Sequence, residues 1–453
     1  MNDFWRVIWK ENTSTIVMLT NLVENGLSRC EQYWPSEEGH NEAYGSILVI
    51  WKETDKYANF CVRKFLVKKN VEVRTLVQIH YTAFTDIDVP SEPFSITEVI
   101  KYVKRVHDGK QSPILVHCSA GIGRTGTFIS IYCLMEVIKA RKEINIFKFV
   151  ETARRNRVNM VQTELHYGFI FECLVDFCQT RHTEISTGYL SERRNASRTV
   201  RDEFKLLKKL TAHNNLKTKN YQTNPNDFSG RIGEMSESTT GSSDYVNTTL
   251  YRSVRKQQAF ITTKSPMINT VEDFWRMVYD WRCPIIVMLN QLDKTYMYWP
   301  AKGTIKYRNM EVILLEQKRG STHIMRTFNV SHRQSENALT VHQLQLFSWP
   351  AGEDFRALNE IRECIRLLNK QHEMPGPTLV HCINGIGNSS IFVAVEMALI
   401  QLEIIGTVDV FSVVRQMRHR NVNAIKTEED YAMCYKILSS LVLGTVSKMN
   451  KSS

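Results

Sequence analysis

One stretch of sequence decides how this chain is interpreted, and it reads His117-Cys118-Ser119-Ala120-Gly121-Ile122-Gly123-Arg124-Thr125-Gly126. The apolar run 113–116 before it predicts a short buried strand, and residues 124–139 after it predict a buried helix. A glycine-containing loop between a strand and a helix allows backbone N–H groups to turn inward, and the helix N-terminus adds positive potential. The stretch therefore predicts an anion-binding loop, which we call the first cradle.

The side chains of the first cradle predict nucleophilic chemistry on a phosphate. A thiol at this position is expected to be ionised near neutral pH, so Cys118 is the predicted nucleophile. Arg124 offers a planar fork that can hold two phosphate oxygens. Thr125 is expected to hydrogen-bond the departing thiolate, and His117 to hold the loop in shape. The phosphate-binding backbone groups are expected from Ser119, Ala120, Gly121, Ile122 and Gly123. A buried structural cysteine is the alternative, and the complete ten-residue run disfavours it.

An internal repeat organises the rest of the chain. The recurring blocks, each with its second copy, are Asp3-Phe4-Trp5-Arg6 with Asp273-Phe274-Trp275-Arg276, Tyr33-Trp34-Pro35 with Tyr298-Trp299-Pro300, and Val116-His117-Cys118 with Val380-His381-Cys382. Their order is preserved, which predicts two tandem domains at residues 1–180 and 200–446. Residues 200–270 precede the first block of the second copy, whereas Met1 and Asn2 precede it in the first. We therefore expect the first domain to be incomplete at its N-terminus.

Each copy mixes two kinds of hydrophobic pattern. Short β-type runs at 46–51 and 309–315 stand beside helical patterns at 94–106 and 355–368, which predicts an α/β fold. The polar residues around 180–200 are expected to form a linker or the first turn of a helix. The Ser-, Thr- and Gly-rich segment 236–243 is expected to be a loop.

Composition narrows the class of protein. Of the 453 residues 43% are hydrophobic and 23% charged, as in ordinary globular proteins. No apolar run approaches the roughly 20 residues of a membrane helix, so we expect no membrane segment in this chain. Ten cysteines without CxxC pairs indicate reduced thiols and a cytoplasmic setting. The net charge of +11 suits anionic ligands, but the sequence carries no nucleic-acid-binding motif.

The loop and the repeated blocks resemble those of the protein-tyrosine phosphatases, and two tandem copies resemble the intracellular half of the receptor-type members. The resemblance covers nearly the whole chain. It implies a mixed, twisted sheet flanked by helices in each domain. It also implies hydrolysis of phosphotyrosine in partner proteins through a cysteinyl-phosphate, with no metal and no cofactor. It leaves open whether the intact protein is membrane-anchored.

The resemblance also assigns roles outside the cradle. The family's mobile acid loop ends in Val-Pro, and counting back from residues 89–90 places the acid at Asp86, with Asp88 as the competing candidate. Such an acid protonates the tyrosine leaving group and later deprotonates water. Gln162 matches the glutamine that positions this water. Glu24 matches the carboxylate that orients the cradle arginine.

Four further positions depart from the family or carry a smaller role. Arg29 lies where the family has a basic residue that reaches toward the closed acid loop. The aromatic and proline before the acid are Phe84 and Thr85 here, so loop closure loses the fixed φ of proline. A second family glutamine, four residues after Gln162, is His166.

The second copy of the cradle, which we call the second cradle, reads His381-Cys382-Ile383-Asn384-Gly385-Ile386-Gly387-Asn388-Ser389-Ser390. Cys382 survives, but Asn388 replaces the arginine and cannot form a charged fork. The acid position is Ala351, and the water-positioning position is Lys426. Asp354 is a possible substitute acid, yet nothing restores the arginine. We expect a catalytically inactive second domain that serves as a docking or regulatory module, with a cysteine still open to oxidation.

Two rival functions stay open. The chain could be a phosphotyrosine-binding scaffold without turnover, since in the family the missing N-terminal part carries the tyrosine-bearing loop that sets pocket depth. It could also be a dual-specificity or lipid phosphatase, which the tandem blocks and the absence of lysines inside the cradle disfavour.

Overall fold

The structure is a computed structural model in which the described residues are 1–84, 89–90, 92–180, 182–190, 192, 197–218, 248–291, 296–333, 335, 337–350, 352, 354–371 and 376–449. The chain divides into two compact units. The N-terminal unit holds Met1–His182 with Ile404–Gly406, and the C-terminal unit holds Thr183–Glu403 with Thr407–Ser453.

The N-terminal unit contains, in chain order, α1 (Asn2–Lys10), β1 (Thr15–Met18), β2 (Val23–Glu24), β3 (Leu27–Ser28), β4 (Asn41–Tyr44), β5 (Ile47–Lys56), β6 (Phe60–Lys69), β7 (Glu72–Tyr81), α2 (Pro93–His107), β8 (Ile114–His117), α3 (Gly123–Lys139), α4 (Ile146–Asn156) and α5 (Glu164–Thr180). Six strands form one sheet in the order β4-β5-β6-β7-β1-β8. Strands β4 to β7 pair antiparallel, whereas β1 runs parallel to both β7 and β8. The sheet is therefore mixed.

The core of this unit explains why these segments fold as they do. All four residues of β1 are buried, as expected for a central strand covered on both faces. Trp5 of α1 is fully buried, and its indole N–H donates to the Tyr33 carbonyl at 2.7 Å. Helix α3 is apolar over most of its surface, because it lies between the sheet and the helices α4 and α5.

The C-terminal unit contains a 3₁₀ turn (Thr187–Tyr189), then α6 (Ser197–Thr218), β9 (Thr248–Tyr251), β10 (Phe260–Lys264), α7 (Val271–Asp280), β11 (Ile285–Met288), β12 (Thr304–Tyr307), β13 (Met310–Arg319), β14 (His323–His332), β15 (Ala338–Leu346), α8 (Arg356–Gln371), β16 (Thr378–Cys382), α9 (Asn388–Ile405), α10 (Val410–Arg420) and α11 (Glu428–Met449). Its sheet has the order β12-β13-β14-β15-β11-β16-β10-β9. The predicted α/β class, with a mixed sheet flanked by helices in each copy, is confirmed. The predicted loop at 236–243 lies outside the described residues.

The strand before each cradle is buried to a different extent. In the C-terminal unit β16 lies between β11 and β10, and all five of its residues are buried. In the N-terminal unit β8 pairs with β1 on one side, and its four residues are half-buried. The prediction of a buried strand here was therefore too strong. The residues of β10 precede the repeated Asp-Phe-Trp-Arg block, which the first copy has almost at residue 1.

One helix in the described part of the chain, α9, is long and apolar enough to cross a membrane by length and composition. Its 18-residue window is 78% buried inside the protein. That burial is expected for the core helix of a globular domain, so the helix is weak evidence for a membrane span.

Candidate active site

The first cradle joins the end of β8 to the start of α3. Gly121 has a φ of +71°, a left-handed conformation that favours glycine, and it turns the loop around the Cys118 sulfur. The Gly121 backbone N–H donates to Cys118 Sγ at 3.3 Å, and the Thr125 hydroxyl donates to it at 3.2 Å. Cys118 is 7% exposed. Two hydrogen-bond donors and the N-terminus of α3 therefore converge on this one sulfur.

Arg124 is held at the cradle by a buried ion pair. Its Nη1 and Nη2 atoms donate to the two carboxylate oxygens of Glu24 at 2.8 and 2.7 Å, and Nη1 also donates to the Leu19 carbonyl at 3.1 Å. Both side chains of the pair are 6% exposed. A bidentate pair fixes the plane of the guanidinium, which is the geometry needed to present a charged fork to an anion.

A tight hairpin delivers Glu24 to this position. Strands β2 and β3 are joined by Asn25 and Gly26, whose φ values of +50° and +77° are those of a two-residue hairpin turn. Glu24 also accepts from the Asn21 backbone N–H at 2.9 Å and the Thr20 hydroxyl at 3.3 Å. Burial opposes ionisation of Glu24, but the bond from Arg124 and these other donors together lower the pKa of its carboxyl below the ordinary value.

A chain of hydrogen bonds supports the cradle from below. Arg63 donates to Gln78 at 2.8 Å, the Gln78 amide donates to the Tyr33 hydroxyl at 2.6 Å, and Tyr33 donates to His117 Nε2 at 2.8 Å. The His117 Nδ1 atom then donates to the Cys118 carbonyl at 3.1 Å. Burial lowers the pKa of His117, so its ring is neutral and fixed as one tautomer by the two bonds.

This relay contains residues that sequence reasoning missed. Tyr33 lies in the repeated Tyr-Trp-Pro block. The repetition marked this block as important but did not indicate what Tyr33 does. Nothing in the local sequence pointed to Gln78 or Arg63, because their partners are far away in the chain.

Gln162 lies at the rim of the cradle. The Val161 backbone N–H donates to the Ile122 carbonyl at 3.1 Å and ties this segment to the loop. Val161 has a φ of +60°, which strains a β-branched residue and requires support from its surroundings. The Gln162 Oε1 atom lies 3.2 Å from the place where a Cβ on Gly123 would stand. The structure therefore brings Gln162 beside the first residue of α3.

For the other predicted residues of the first site, the structure shows fewer contacts with the cradle. Arg29 follows β3, is half-buried, and donates its backbone N–H to the Leu22 carbonyl at 2.8 Å. Phe84 is buried, with Arg124 Cζ 5.9 Å from its ring centroid. Asp86 and the competing Asp88 lie outside the described residues.

The second cradle has the same backbone path and a different interior. The Asn384 Oδ1 atom accepts from the backbone N–H groups of Gly387 and Ile386 at 3.0 and 3.3 Å. The Cys382 thiol donates to the same oxygen at 3.3 Å, and its sulfur lies 3.2 Å from the Ser389 hydroxyl. Inward-facing donors of the loop are thus taken by the loop's own side chain. Ala120, which occupies this position in the first cradle, has no side chain that could do so.

The other predicted positions of the second site are partly described. Asn388 begins α9 and is half-buried, and Lys426 is exposed. Ala351 lies outside the described residues. No group of three or more His, Cys, Asp or Glu residues within the described ranges is arranged to hold a metal ion. All ten cysteines are free thiols.

Comparisons with known proteins agree with this geometry. The family model described as "Protein-tyrosine phosphatase" matches residues 1–176 and 214–440. The chain is 31% identical over 479 residues to mouse (Mus musculus) receptor-type tyrosine-protein phosphatase epsilon, covering 98% of this chain and 68% of that protein. It is 30% identical over 478 residues to mouse receptor-type tyrosine-protein phosphatase alpha, covering 98% of this chain and 57% of that protein.

A third relative, chicken (Gallus gallus) receptor-type tyrosine-protein phosphatase S, is 33% identical over 467 residues, covering 96% of this chain and 30% of that protein. The chain thus spans about two thirds or less of the length of these relatives and matches two copies of one family model. On both grounds, this chain is a tandem-domain member of the protein-tyrosine phosphatase family, similar to its receptor-type members.

Proposed function

We propose that the N-terminal unit hydrolyses phosphotyrosine in proteins through a cysteinyl-phosphate, and that the C-terminal unit is a catalytically inactive regulatory module. The observation that carries the proposal is the buried Arg124–Glu24 pair beside a sulfur that accepts two hydrogen bonds. Attack on a phosphate dianion requires a fixed cation beside the nucleophilic sulfur, and this arrangement supplies one. The receptor-type relatives support a cytoplasmic setting for both units.

The proposed reaction proceeds in two displacements. The Cys118 thiolate attacks phosphorus, the bond from phosphorus to the tyrosine oxygen breaks, and Asp86 gives that oxygen a proton. Water then attacks the cysteinyl-phosphate, Asp86 takes a proton from the water, and the sulfur leaves as the thiolate with a hydrogen bond from Thr125. Arg124 and the backbone N–H groups of residues 119–123 hold the phosphoryl oxygens in both steps, and Gln162 positions the water.

The inactivity of the C-terminal unit rests on two independent defects. Asn388 is neutral where Arg124 is charged, which removes several kcal/mol of transition-state binding at about 1.36 kcal/mol per tenfold in rate. In addition, Asn384 Oδ1 occupies loop donors that a phosphoryl oxygen would need. The identities of Ala351 and Lys426 add the loss of an acid and of a water-positioning amide.

The test is hydrolysis of a phosphotyrosine peptide by the whole chain and by its variants. We expect Cys118→Ser and Arg124→Met to abolish turnover, and the matched Cys382→Ser to leave it unchanged. Equal hydrolysis by wild type and Cys118→Ser contradicts the proposal. Peptide binding without turnover in the wild type supports a scaffold instead. A phosphoserine peptide assayed in parallel tests the substrate class, because the tyrosine-specific proposal expects little turnover of it.

A further inference from the structure

His166 is a buried histidine at the rim of the first cradle that the proposed function does not use. It lies in the first turn of α5 and is 6% exposed. Its Nδ1 atom and the Thr163 hydroxyl are 2.8 Å apart, and the same hydroxyl accepts from the His166 backbone N–H at 3.2 Å. The ring is therefore held in one orientation by its own helix N-terminus.

The other ring nitrogen has unused hydrogen-bonding capacity. Within the described part of the chain, no hydrogen bond reaches His166 Nε2. Among the described residues, Nε2 is not one of the fully buried side-chain atoms that lack a partner, so it is open to a water molecule or a ligand. When Nδ1 donates to Thr163, Nε2 carries the lone pair and can accept a hydrogen bond.

The position of the ring shows where that partner would be. A Cβ on Gly123 would stand 3.0 Å from His166 Cε1 and 3.2 Å from Gln162 Oε1. Both side chains thus lie against one glycine, the first residue of α3 and the neighbour of Arg124. The Cε1 atom is bonded directly to Nε2, so this nitrogen also belongs to the rim of the cradle.

We propose that His166 Nε2 binds the water that hydrolyses the cysteinyl-phosphate and, together with Gln162, aims it at phosphorus. This inference rests on the proposed function. The water oxygen forms the new bond to phosphorus while the phosphorus–sulfur bond breaks and its electron pair goes to Cys118. One water proton goes to Asp86, and the other stays in the hydrogen bond to His166. His166 orients the water without taking its proton.

The charge state of the ring suits this role. Burial, followed by the charge of Arg124, lowers the pKa of His166, so the imidazole is neutral near pH 7. A neutral imidazole can accept a hydrogen bond from water, whereas an imidazolium could only donate. The Phe84 ring, whose centroid is 6.5 Å from that of His166, adds apolar surroundings on another side.

The experiment separates the two chemical steps with p-nitrophenyl phosphate, using the whole chain. Rapid mixing measures the burst of nitrophenolate, which reports formation of the phosphoenzyme, and the steady state reports its hydrolysis. We expect His166→Leu to slow the steady state about tenfold, to keep the burst rate within about twofold, and to give a stoichiometric burst. His166→Gln, which can still hydrogen-bond water, should recover most of the loss.

His107→Leu is the matched control. His107 Nδ1 also meets a threonine hydroxyl, that of Thr15 at 3.0 Å, but it lies at the opposite end of β1 from the cradle. We expect this variant to leave both rates unchanged. An equal fall of burst and steady state in His166→Leu, or no fall in either, overturns the role in water binding. A burst that persists in Cys118→Ser overturns the proposed function instead.

A binding measurement tests the same idea without turnover. Vanadate bound to the cysteine carries an apical oxygen where the water would attack, whereas inorganic phosphate has no such atom. We expect His166→Leu to weaken vanadate binding about tenfold and to leave phosphate binding unchanged. Equal effects on the two anions would show that His166 only shapes the loop.

Discussion

The two cradles differ in which way hydrogen bonds run at the cysteine. In the first cradle the sulfur of Cys118 accepts bonds from Gly121 and Thr125. In the second, the thiol of Cys382 donates to Asn384. Two hydrogen-bond donors thus face the sulfur of Cys118, whereas an acceptor faces the thiol of Cys382. The two loops therefore share a backbone path but surround the cysteine with different hydrogen-bonding groups, because Asn384 stands at the position of Ala120.

The support beneath the cradles is nearly the same in both units. Arg326 donates to Gln343 at 2.8 Å, Gln343 donates to the Tyr298 hydroxyl at 2.7 Å, and Tyr298 donates to His381 at 2.7 Å. His381 then meets the Ser265 hydroxyl at 3.0 Å rather than a loop carbonyl. Because the relay is present in both units, it supports the loop in each and does not distinguish the two cradles.

A further difference between the two units lies in the first turn of the helix that follows each cradle, α3 or α9. Gly126 allows the Val161 backbone to approach so closely that a Cβ there would stand 2.5 Å from Val161 N. The second copy has Ser390 at this position, and its buried hydroxyl has no hydrogen-bond partner within the described residues. The glycine thus sets the distance between the cradle and the segment that carries Gln162.

We expect the greatest loss of activity when the first cradle is given the neutral residue that the second cradle has in place of the arginine. Arg124→Asn should lower kcat/KM for a phosphotyrosine peptide by about 10³-fold or more, because it removes the fork and leaves Glu24 as a buried unpaired carboxylate. The reciprocal Asn388→Arg should not create activity in Cys118→Ser, because Asn384 still occupies the loop. Measurable turnover by that double variant would contradict the conclusion that Asn384 blocks the second cradle.

Glu24→Gln should lower kcat by about 10- to 100-fold and stability by about 1–3 kcal/mol, since it keeps the shape but removes the charge that holds Arg124. Because the pKa of Glu24 is lowered on folding, the pair stabilises the fold above the ordinary value of 4.5 and loses this contribution as the pH falls toward the lowered pKa. Urea unfolding of both proteins at pH 7 and pH 4 checks this. A stability difference that does not shrink at pH 4 would exclude the assigned ionisation.

Gly126→Ser should lower kcat by about tenfold and stability by about 1–3 kcal/mol, because the added atoms push the Val161 backbone and Gln162 away from the loop. Steady-state kinetics and thermal unfolding measure the two effects. Gly168→Ser on α5, where a Cβ would meet nothing within 4 Å, is the control and should leave kcat unchanged. If both variants behave alike, the close approach at Gly126 is unimportant.

The smallest expected effect is in the second cradle. Asn384→Ala should raise the rate of Cys382 alkylation by iodoacetamide several-fold at pH 7, because it removes the acceptor and frees loop donors for the thiolate. Mass spectrometry of the labelled peptide follows the reaction, with Cys434, buried elsewhere in this unit, as the internal reference. An unchanged rate at Cys382 would show that Asn384 does not control the thiol.

The features of this protein that depend on local backbone geometry could be predicted from its residues alone. The α/β class and the repeat followed from hydrophobic periods and recurring blocks. The cradle followed from Gly121, Gly123 and the cysteine–arginine spacing, because a loop of this length between strand and helix has few conformations. The loss of charge at Asn388 was equally readable from the residue alone.

The packing of the folded chain sets which distant side chains meet these local features. The family resemblance implied the pairing of Arg124 with Glu24, which lies 100 positions away, but no local rule links Gln78 or Arg63 to the cysteine loop. The inward turn of Asn384 and the approach of His166 to Gly123 were also invisible in the sequence. The physical reason is that dihedral preferences act over a few residues, whereas hydrogen-bond partners in a core are chosen by the packing of the whole sheet and its helices.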